Sequence, residues 1–265
     1  MTTATAPYRT VALPAFNDNY IWLLVNDDTK CCVVVDPGDA AVVLQAINEH
    51  QLTLSAILIT HHHNDHVGGV SELVTQLNRE IPVYGPTIEA QQVVTKPLKQ
   101  DDVLVLEFIA ATFTVLDIPG HTKGHIAFYD KSSLFCGDTL FSVGCGRMFE
   151  GTPQQFSQSL DKLAKLLPST LVYCAHEYTL SNITFAQAVE PDNQELQHYQ
   201  QLCKTLREHN QATIPTTIGH ELKVNPFLRL NVTEVRNKII QHFQAPQKIK
   251  QCESFALLRK WKDDF

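Results

Sequence analysis

The sequence predicts a layered α/β protein that gives way, past the middle of the chain, to a helical C-terminal segment. Three observations carry that reading. Up to about residue 175 short apolar runs alternate with helical patterns, and beyond Tyr178 strand signals nearly vanish. The chain has 265 residues, 44% hydrophobic and 18% charged, enough apolar content to pack one large domain or two modest ones. The expected division is residues 1–174 as the α/β body and 175–265 as the helical domain.

The elements follow in order. Runs rich in Val, Ile, Leu, Phe and Tyr at 20–25, 31–36, 54–60, 81–84, 103–106, 113–118, 126–129, 134–136 and 171–174 read as strands. Helical spacing appears at 40–49, 67–78 and 153–167. The last of these places Phe156, Leu160, Leu163 and Leu167 on one stripe. It opens Thr152-Pro153-Gln154-Gln155, which supplies an N-cap, a proline in the first turn and a capping-box glutamine. Farther on, Asp192 is placed to cap a helix carrying Leu196, Tyr199, Leu202 and Leu206, and 233–243 and 254–261 read as two more helices. No internal repeat, low-complexity tract or Gly/Ser linker interrupts the series.

Composition narrows the function classes. No apolar run approaches the roughly 18 residues a membrane helix needs. The first eight residues have neither a basic leader nor an apolar stretch, so no secretory signal is expected. Seven scattered cysteines, an odd number sitting mostly inside apolar runs, suit reduced thiols and a cytoplasmic location better than a disulfide framework. Residues 1–222 hold 12 Lys/Arg against 24 Asp/Glu, whereas 223–265 hold 9 against 4. The acidic body disfavours nucleic acid as a partner, and the basic tail suits a small anionic one.

Histidine carries the chemistry. Of twelve in the chain, four fall within residues 61–66, in Thr60-His61-His62-His63-Asn64-Asp65-His66. The stretch follows the apolar run 56–59 and precedes Val67-Gly68-Gly69, so it is a strand-to-helix turn presenting imidazoles and a carboxylate, a metal site by composition. In this register His61 and His63 point one way and Asp65 and His66 another, which suggests two adjacent cations. Two cations need further ligands, and three later apolar runs end on suitable residues: His121 after 113–119, Asp138 after 133–137 and His176 after 171–175. Ligands in α/β proteins collect at such strand ends. His62 and Asn64 receive no ligand role, and His50, His125, His198, His209, His220 and His242 are expected at the surface or in loops.

The His-x-His-x-Asp-His turn, the later lone His121, Gly137-Asp138 and the final His176 resemble the metallo-β-lactamase superfamily in type and order. Within it the chain is similar to the hydroxyacylglutathione hydrolases, or glyoxalase II family. The likeness is carried by Asp18-Asn19-Tyr20, by Gly137-Asp138-Thr139-Leu140-Phe141 through Gly144-Cys145-Gly146-Arg147, and by His176-Glu177-Tyr178-Thr179. In the tail it is carried by Asn225-Pro226-Phe227-Leu228-Arg229 and by Arg259-Lys260-Trp261-Lys262-Asp263-Asp264-Phe265. The resemblance implies an αββα metallo-β-lactamase-like sandwich, a smaller C-terminal α-helical domain and two divalent metal ions per chain. Zinc is the expected metal, with iron or manganese also suited to a nitrogen- and carboxylate-rich set. One ion would take His61, His63 and His121 and the other Asp65, His66 and His176, with Asp138 and a water or hydroxide bridging them. Asp65 would also steer the hydroxide, and Asp36, at the end of an early strand, would orient the turn without ligating.

The implied reaction is hydrolysis of S-(2-hydroxyacyl)glutathione, such as S-D-lactoylglutathione, to glutathione and D-lactate in methylglyoxal degradation. Paired cations lower the pKa of water to about 7 and polarise the carbonyl, and a thiolate leaves without a strong general acid. The resemblance assigns Arg147, Tyr178, Arg259 and Lys262 to the glutathione carboxylates, groups that basic side chains and a phenol bind well. Where the family often has Lys and Tyr, this chain has Arg147 and Phe149; the arginine keeps the charge and the phenylalanine gives up a hydroxyl. A monomer acting on this small molecule, without nucleic acid or membrane, is expected. Two other readings stand beside this one. They are a mononuclear-iron persulfide dioxygenase of the same superfamily and a non-catalytic protein that binds metal or glutathione.

Overall fold

The computed structural model describes residues 7–265. The leaderless start read at residues 1–8 lies outside the described residues as far as residue 6. The chain divides into two compact units, one holding Met1–Asp117 with Gly124–Gly137, the other Ile118–Lys123 with Asp138–Phe265. This division interleaves in sequence, so it is a different partition from the single expected boundary at 174/175.

In the first unit a six-stranded sheet runs in chain order. Its strands are β1 (Arg9–Ala15), β2 (Asn19–Asn26), β3 (Cys31–Val35), β4 (Thr53–Leu58), β5 (Val83–Pro86) and β6 (Lys96–Leu98). β1 to β3 pair antiparallel; β3 to β6 pair parallel, which requires crossovers. The helix α1 (Ala40–Glu49) supplies one crossover, and α2 (Asn64–Val67) with α3 (Val70–Leu77) supplies the next. β2 is buried along its whole length. Ile21, Leu23 and Val25 join Val43 and Ile47 of α1 and Val70 and Leu73 of α3 in one core. The alternate residues Tyr20, Trp22 and Leu24 are buried on the opposite face, where a 3-10 turn at Glu107–Ile109 packs against β2 and β3. Alternation with both faces apolar is what a sheet covered on both sides requires. A second, antiparallel meander completes the unit: β7 (Val103–Leu106), β8 (Ala111–Asp117), β9 (Ile126–Tyr129) and β10 (Ser133–Gly137). Its Phe113, Phe128 and Phe135 are all fully buried, with ring centroids 6.1–6.4 Å from Phe113 to the other two.

The second unit is mainly helical. It contains the small hairpin β11 (Leu140–Phe141) with β12 (Gly144–Cys145), then α4 (Pro153–Leu163), β13 (Leu171–Cys174), α5 (Thr179–Val189) and α6 (Gln194–Glu208). After these come β14 (Thr216–Thr217), α7 (Ile218–Val224), α8 (Thr233–Phe243) and α9 (Gln251–Asp264). Phe156 of α4 packs on Phe255 of α9 with centroids 5.2 Å apart, and Phe185 of α5 meets Trp261 of α9 at 5.7 Å. A separate core joins Val143, Ile183, Ala186, Leu196, Cys203 and Val224. Among the described residues no helix is long and apolar enough to cross a membrane. All seven cysteines are free thiols.

Most expected elements are present, with informative differences. The capping box at Thr152 and Gln155 is formed, but α4 ends at Leu163, so Leu167 is exposed before Pro168. Asn193 rather than Asp192 caps α6, its side chain accepting from the Leu196 amide. The single helix expected over 67–78 is broken at Gly68-Gly69 into α2 and α3. β1, β6, β11, β12, β14, α5 and α7 were not read from the sequence. Several are two or three residues long, β1 carries Pro14, and α5 is buried around most of its circumference, so it has almost no amphipathic stripe.

Candidate metal centre

In the first unit the parallel pair β3 and β4 brings two strand ends to the same sheet edge. Asp36 follows β3, and Thr60 and His61 follow β4. Asp36 is buried, with backbone φ of 53°, and accepts from the Thr60 amide through Oδ1 and from the Thr60 hydroxyl through Oδ2, both at 2.7 Å. The Thr60 hydroxyl has thus committed its proton, so at 3.1 Å it accepts from Nδ1–H of His61. That fixes the tautomer and leaves a lone pair on His61 Nε2, which lies within hydrogen-bond distance of Nδ1 of His63 at 3.1 Å. His66 is oriented by the same carboxylate. Its Nδ1 lies 3.0 Å from Asp36 Oδ2, and its Nε2 faces Asp65 Oδ2 at 3.4 Å. Asn19 donates to that Asp65 oxygen at 3.0 Å.

The outcome is two pairs of electron donors, His61 with His63 and Asp65 with His66, each converging on a point. A neutral imidazole lone pair held 3.4 Å from a carboxylate oxygen is repulsive unless a cation or proton lies between them, so the donor set fits divalent metal. Asp36 does what an orienting carboxylate does, fixing the His66 tautomer directly and that of His61 through the Thr60 hydroxyl. Gly38 makes this possible: a Cβ there would lie 1.9 Å from the Asp65 carbonyl oxygen.

In the second unit Asp138, buried at 6% exposure, stands between two imidazoles. Its Oδ2 is 3.4 Å from His121 Nε2 and its Oδ1 is 3.2 Å from His176 Nε2. One carboxylate thus turns a different oxygen to each of two histidines. His121 donates through Nδ1 to the Arg147 carbonyl at 2.8 Å, which again leaves the Nε2 lone pair toward Asp138. His176 stacks on Tyr178 with centroids 4.7 Å apart and planes within 2°.

The residues expected at the glutathione carboxylates differ in setting. Arg147 is exposed, its Nε 3.9 Å from Asp263. Tyr178 is partly exposed beside His176. Arg259 is buried at 4% exposure; it donates to the carbonyl oxygens of Cys145 (2.9 Å) and Gly146 (3.4 Å) and pairs with Asp263 at 3.1 Å. The Lys262 amine sits 5.1 Å above the Phe185 ring, and burial pushes its pKa down to about 8. Phe149 is exposed with its ring edge-on to His121.

Two participants escaped the sequence reading. His125, expected at the surface or in a loop, is fully buried and stacks on His61 at 4.5 Å, backing the ring from behind. His62, given no ligand role, pairs with the buried Glu89 at 3.0 Å, and Glu89 also accepts from the Gly124 amide. Only the adjacency of His125 to Gly124 and strand β9 hinted at burial.

Sheets with helical crossovers and a histidine-rich turn at a sheet edge define a class of protein. A family model described as "Metallo-beta-lactamase superfamily" matches residues 16–176, and one described as "Hydroxyacylglutathione hydrolase C-terminus" matches residues 177–265. A hydroxyacylglutathione hydrolase from Shewanella baltica is 50% identical over 258 residues, covering 96% of this chain and 98% of its own. One from Aliivibrio salmonicida is 52% identical over 254 residues with the same coverage. The crystal structure of a B3 metallo-beta-lactamase is similar with TM-score 0.60 at 26% identity, covering 83% of this chain and 99% of that one. The fold is that of the metallo-β-lactamase superfamily, with a helical C-terminal domain added. Within the superfamily, the chain belongs to the hydroxyacylglutathione hydrolase family.

Proposed function

We propose that this protein hydrolyses the thioester of S-(2-hydroxyacyl)glutathione, S-D-lactoylglutathione foremost, releasing glutathione and the 2-hydroxy acid. The observation that carries the reading is the bidirectional Asp138 carboxylate, one oxygen toward His121 and the other toward His176, matched by the two donor pairs of residues 61–66. In this reading His61, His63 and His121 hold one divalent ion and Asp65, His66 and His176 the other, with Asp138 shared. When bound, such paired ions supply a nucleophilic hydroxide at neutral pH and polarise the acyl carbonyl.

The chain's own residues do the rest. Asp36, Thr60 and the Arg147 carbonyl keep three imidazoles in the tautomer whose Nε2 carries the lone pair. Asn19 holds Asp65 by one oxygen, which keeps that carboxylate in place to orient a nucleophile. Arg147, Tyr178, Arg259 and Lys262 are assigned to the glutathione carboxylates; the hydroxyl that Phe149 lacks is one hydrogen bond fewer there. Residues 1–174 form the catalytic domain and 175–265 the substrate-binding domain in this assignment. The metal is zinc, the protein acts in the cytoplasm, and it works as a monomer.

The test is loss of the thioester's ultraviolet absorbance on S-D-lactoylglutathione, with metal counted on the same sample. Turnover with two ions per chain is expected. One iron per chain with oxygen consumption would replace this reading with the persulfide dioxygenase, and two ions without turnover would replace it with a binding protein.

A further inference from the structure

Glu221 and the Asn225-Pro226-Phe227-Leu228-Arg229 stretch have no part in the chemistry above, yet Glu221 in the middle of α7 and Asn225 at its C-terminal cap reach into the hairpin that follows Asp138. Glu221 and Asn225 are fully buried. Glu221 Oε2 accepts from the Val143 amide at 2.8 Å and from Asn225 Nδ2 at 2.9 Å, and Oε1 accepts from the Thr216 hydroxyl at 2.8 Å. The Asn225 amide also donates to the carbonyl oxygens of Phe141 (3.2 Å) and Gly144 (2.9 Å). From other sides, Asn182 of α5 donates to the Ser142 carbonyl at 2.9 Å, and Tyr199 of α6 lies 3.0 Å from the Ser142 hydroxyl.

What these groups hold is a strained turn. Val143 has φ of 58°, in the left-handed region that a β-branched side chain enters only when its surroundings force it. Beyond the turn the chain has little slack. A Cβ on Gly146 would lie 2.0 Å from the Asp138 carbonyl oxygen and 3.1 Å from His121 Nδ1, and the Gly146 amide donates to Thr139. The next residue, Arg147, supplies the carbonyl that orients His121. The path from Glu221 to the centre is therefore short and rigid: carboxylate, Val143, hairpin, Gly146, then Asp138 on one side and His121 on the other.

We propose that Glu221 and Asn225 are positioning residues of the metal centre, locking the turn at 142–144 so that Asp138 and the carbonyl acceptor of His121 stand where ligation needs them. The proposal rests on the reading of Asp138 and His121 as ligands. It gives Asn225, the first residue of the Asn-Pro-Phe-Leu-Arg stretch, a task that its sequence alone does not disclose. Burial pushes the Glu221 carboxyl up to about 7, opposed by donors from Val143, Asn225, Thr216 and Ser142; the nearby titratable groups are Cys174, Glu177, Tyr199 and Cys203. Such a group needs its donors to ionise at all.

The test uses the full-length, zinc-loaded protein and its Glu221→Gln variant. The expected result is a cooperative thermal transition and unchanged far-ultraviolet dichroism. With these, kcat falls on the order of tenfold at a KM within about twofold, and zinc affinity, measured by competition with a chromophoric chelator, also falls on the order of tenfold. Glu221→Asp, which keeps the charge, lies between the two. A folded Gln variant whose kcat and zinc affinity stay within about twofold of the unaltered protein overturns the proposal. If the Gln variant does not fold, Asn182→Ala, which removes one donor from the same turn, must show the same split on a smaller scale, or the proposal falls. Zinc counted on the unaltered protein separates the two questions. Fewer than two ions per chain there defeats the dinuclear reading and this proposal with it, whereas two ions with an unaffected variant defeats the positioning role alone.

Discussion

Arg259 shows how a side chain assigned to substrate can also hold the fold. Its guanidinium is buried and donates to the carbonyls of Cys145 and Gly146, so Arg259→Ala deprives two backbone acceptors of a charged donor. The expected cost is about 1.5–3 kcal/mol of stability in urea unfolding, accompanied by a rise in KM. Arg259→Lys should not restore it, because an ammonium lacks the planar fork whose Nη1 reaches both carbonyl oxygens while Nη2 meets Asp263. An unchanged kcat/KM in the Ala variant would remove Arg259 from substrate handling and leave only the structural part. Lys262 gives a pH dependence of determinate sign. With its pKa lowered to about 8 by burial, the amine is charged below that pH and neutral above it. KM for the anionic substrate should therefore climb above about pH 8 while kcat stays level, and Lys262→Met should flatten the climb; a KM independent of pH up to 9.5 would contradict the assignment.

At the level of single elements, α4 was the most legible, because its start is written in local chemistry. The Thr152 hydroxyl accepts from the Gln155 amide and the Gln155 side chain returns to the Thr152 amide. Thr152→Ala should cost about 1 kcal/mol in equilibrium unfolding without altering metal content. The turn at 61–66 was legible for a similar reason: its histidines and Asp65 are neighbours in sequence, so their spacing and the strand before them announce the cluster. Elements held by distant partners were not legible. The hairpin of β11 and β12 is four paired residues long and is gripped by Asn182, Tyr199, Glu221 and Asn225. None of those residues carries a local signal of that task.

For the whole molecule, metal should be a large part of the measured stability. A ligand that binds only the folded chain at about a thousand times its dissociation constant contributes about 4 kcal/mol. Stripping the ions with a strong chelator should therefore lower the melting temperature, and zinc should restore it; an unchanged transition would mean that the His/Asp set holds no structural share of metal. The amino-acid order by itself determined the candidate ligand types, their succession along the chain, the strand-end setting of each and the acidic-to-basic change toward the tail. These follow from short-range periodicity and from side-chain chemistry that does not depend on folding. Only the tertiary structure decided that His125 backs His61, that Arg259 is buried and that Glu221 and Asn225 reach into a hairpin some eighty residues earlier. Burial and hydrogen-bond partnership are properties of residues far apart in sequence, and chain entropy leaves such encounters unspecified until the packed core selects one of them.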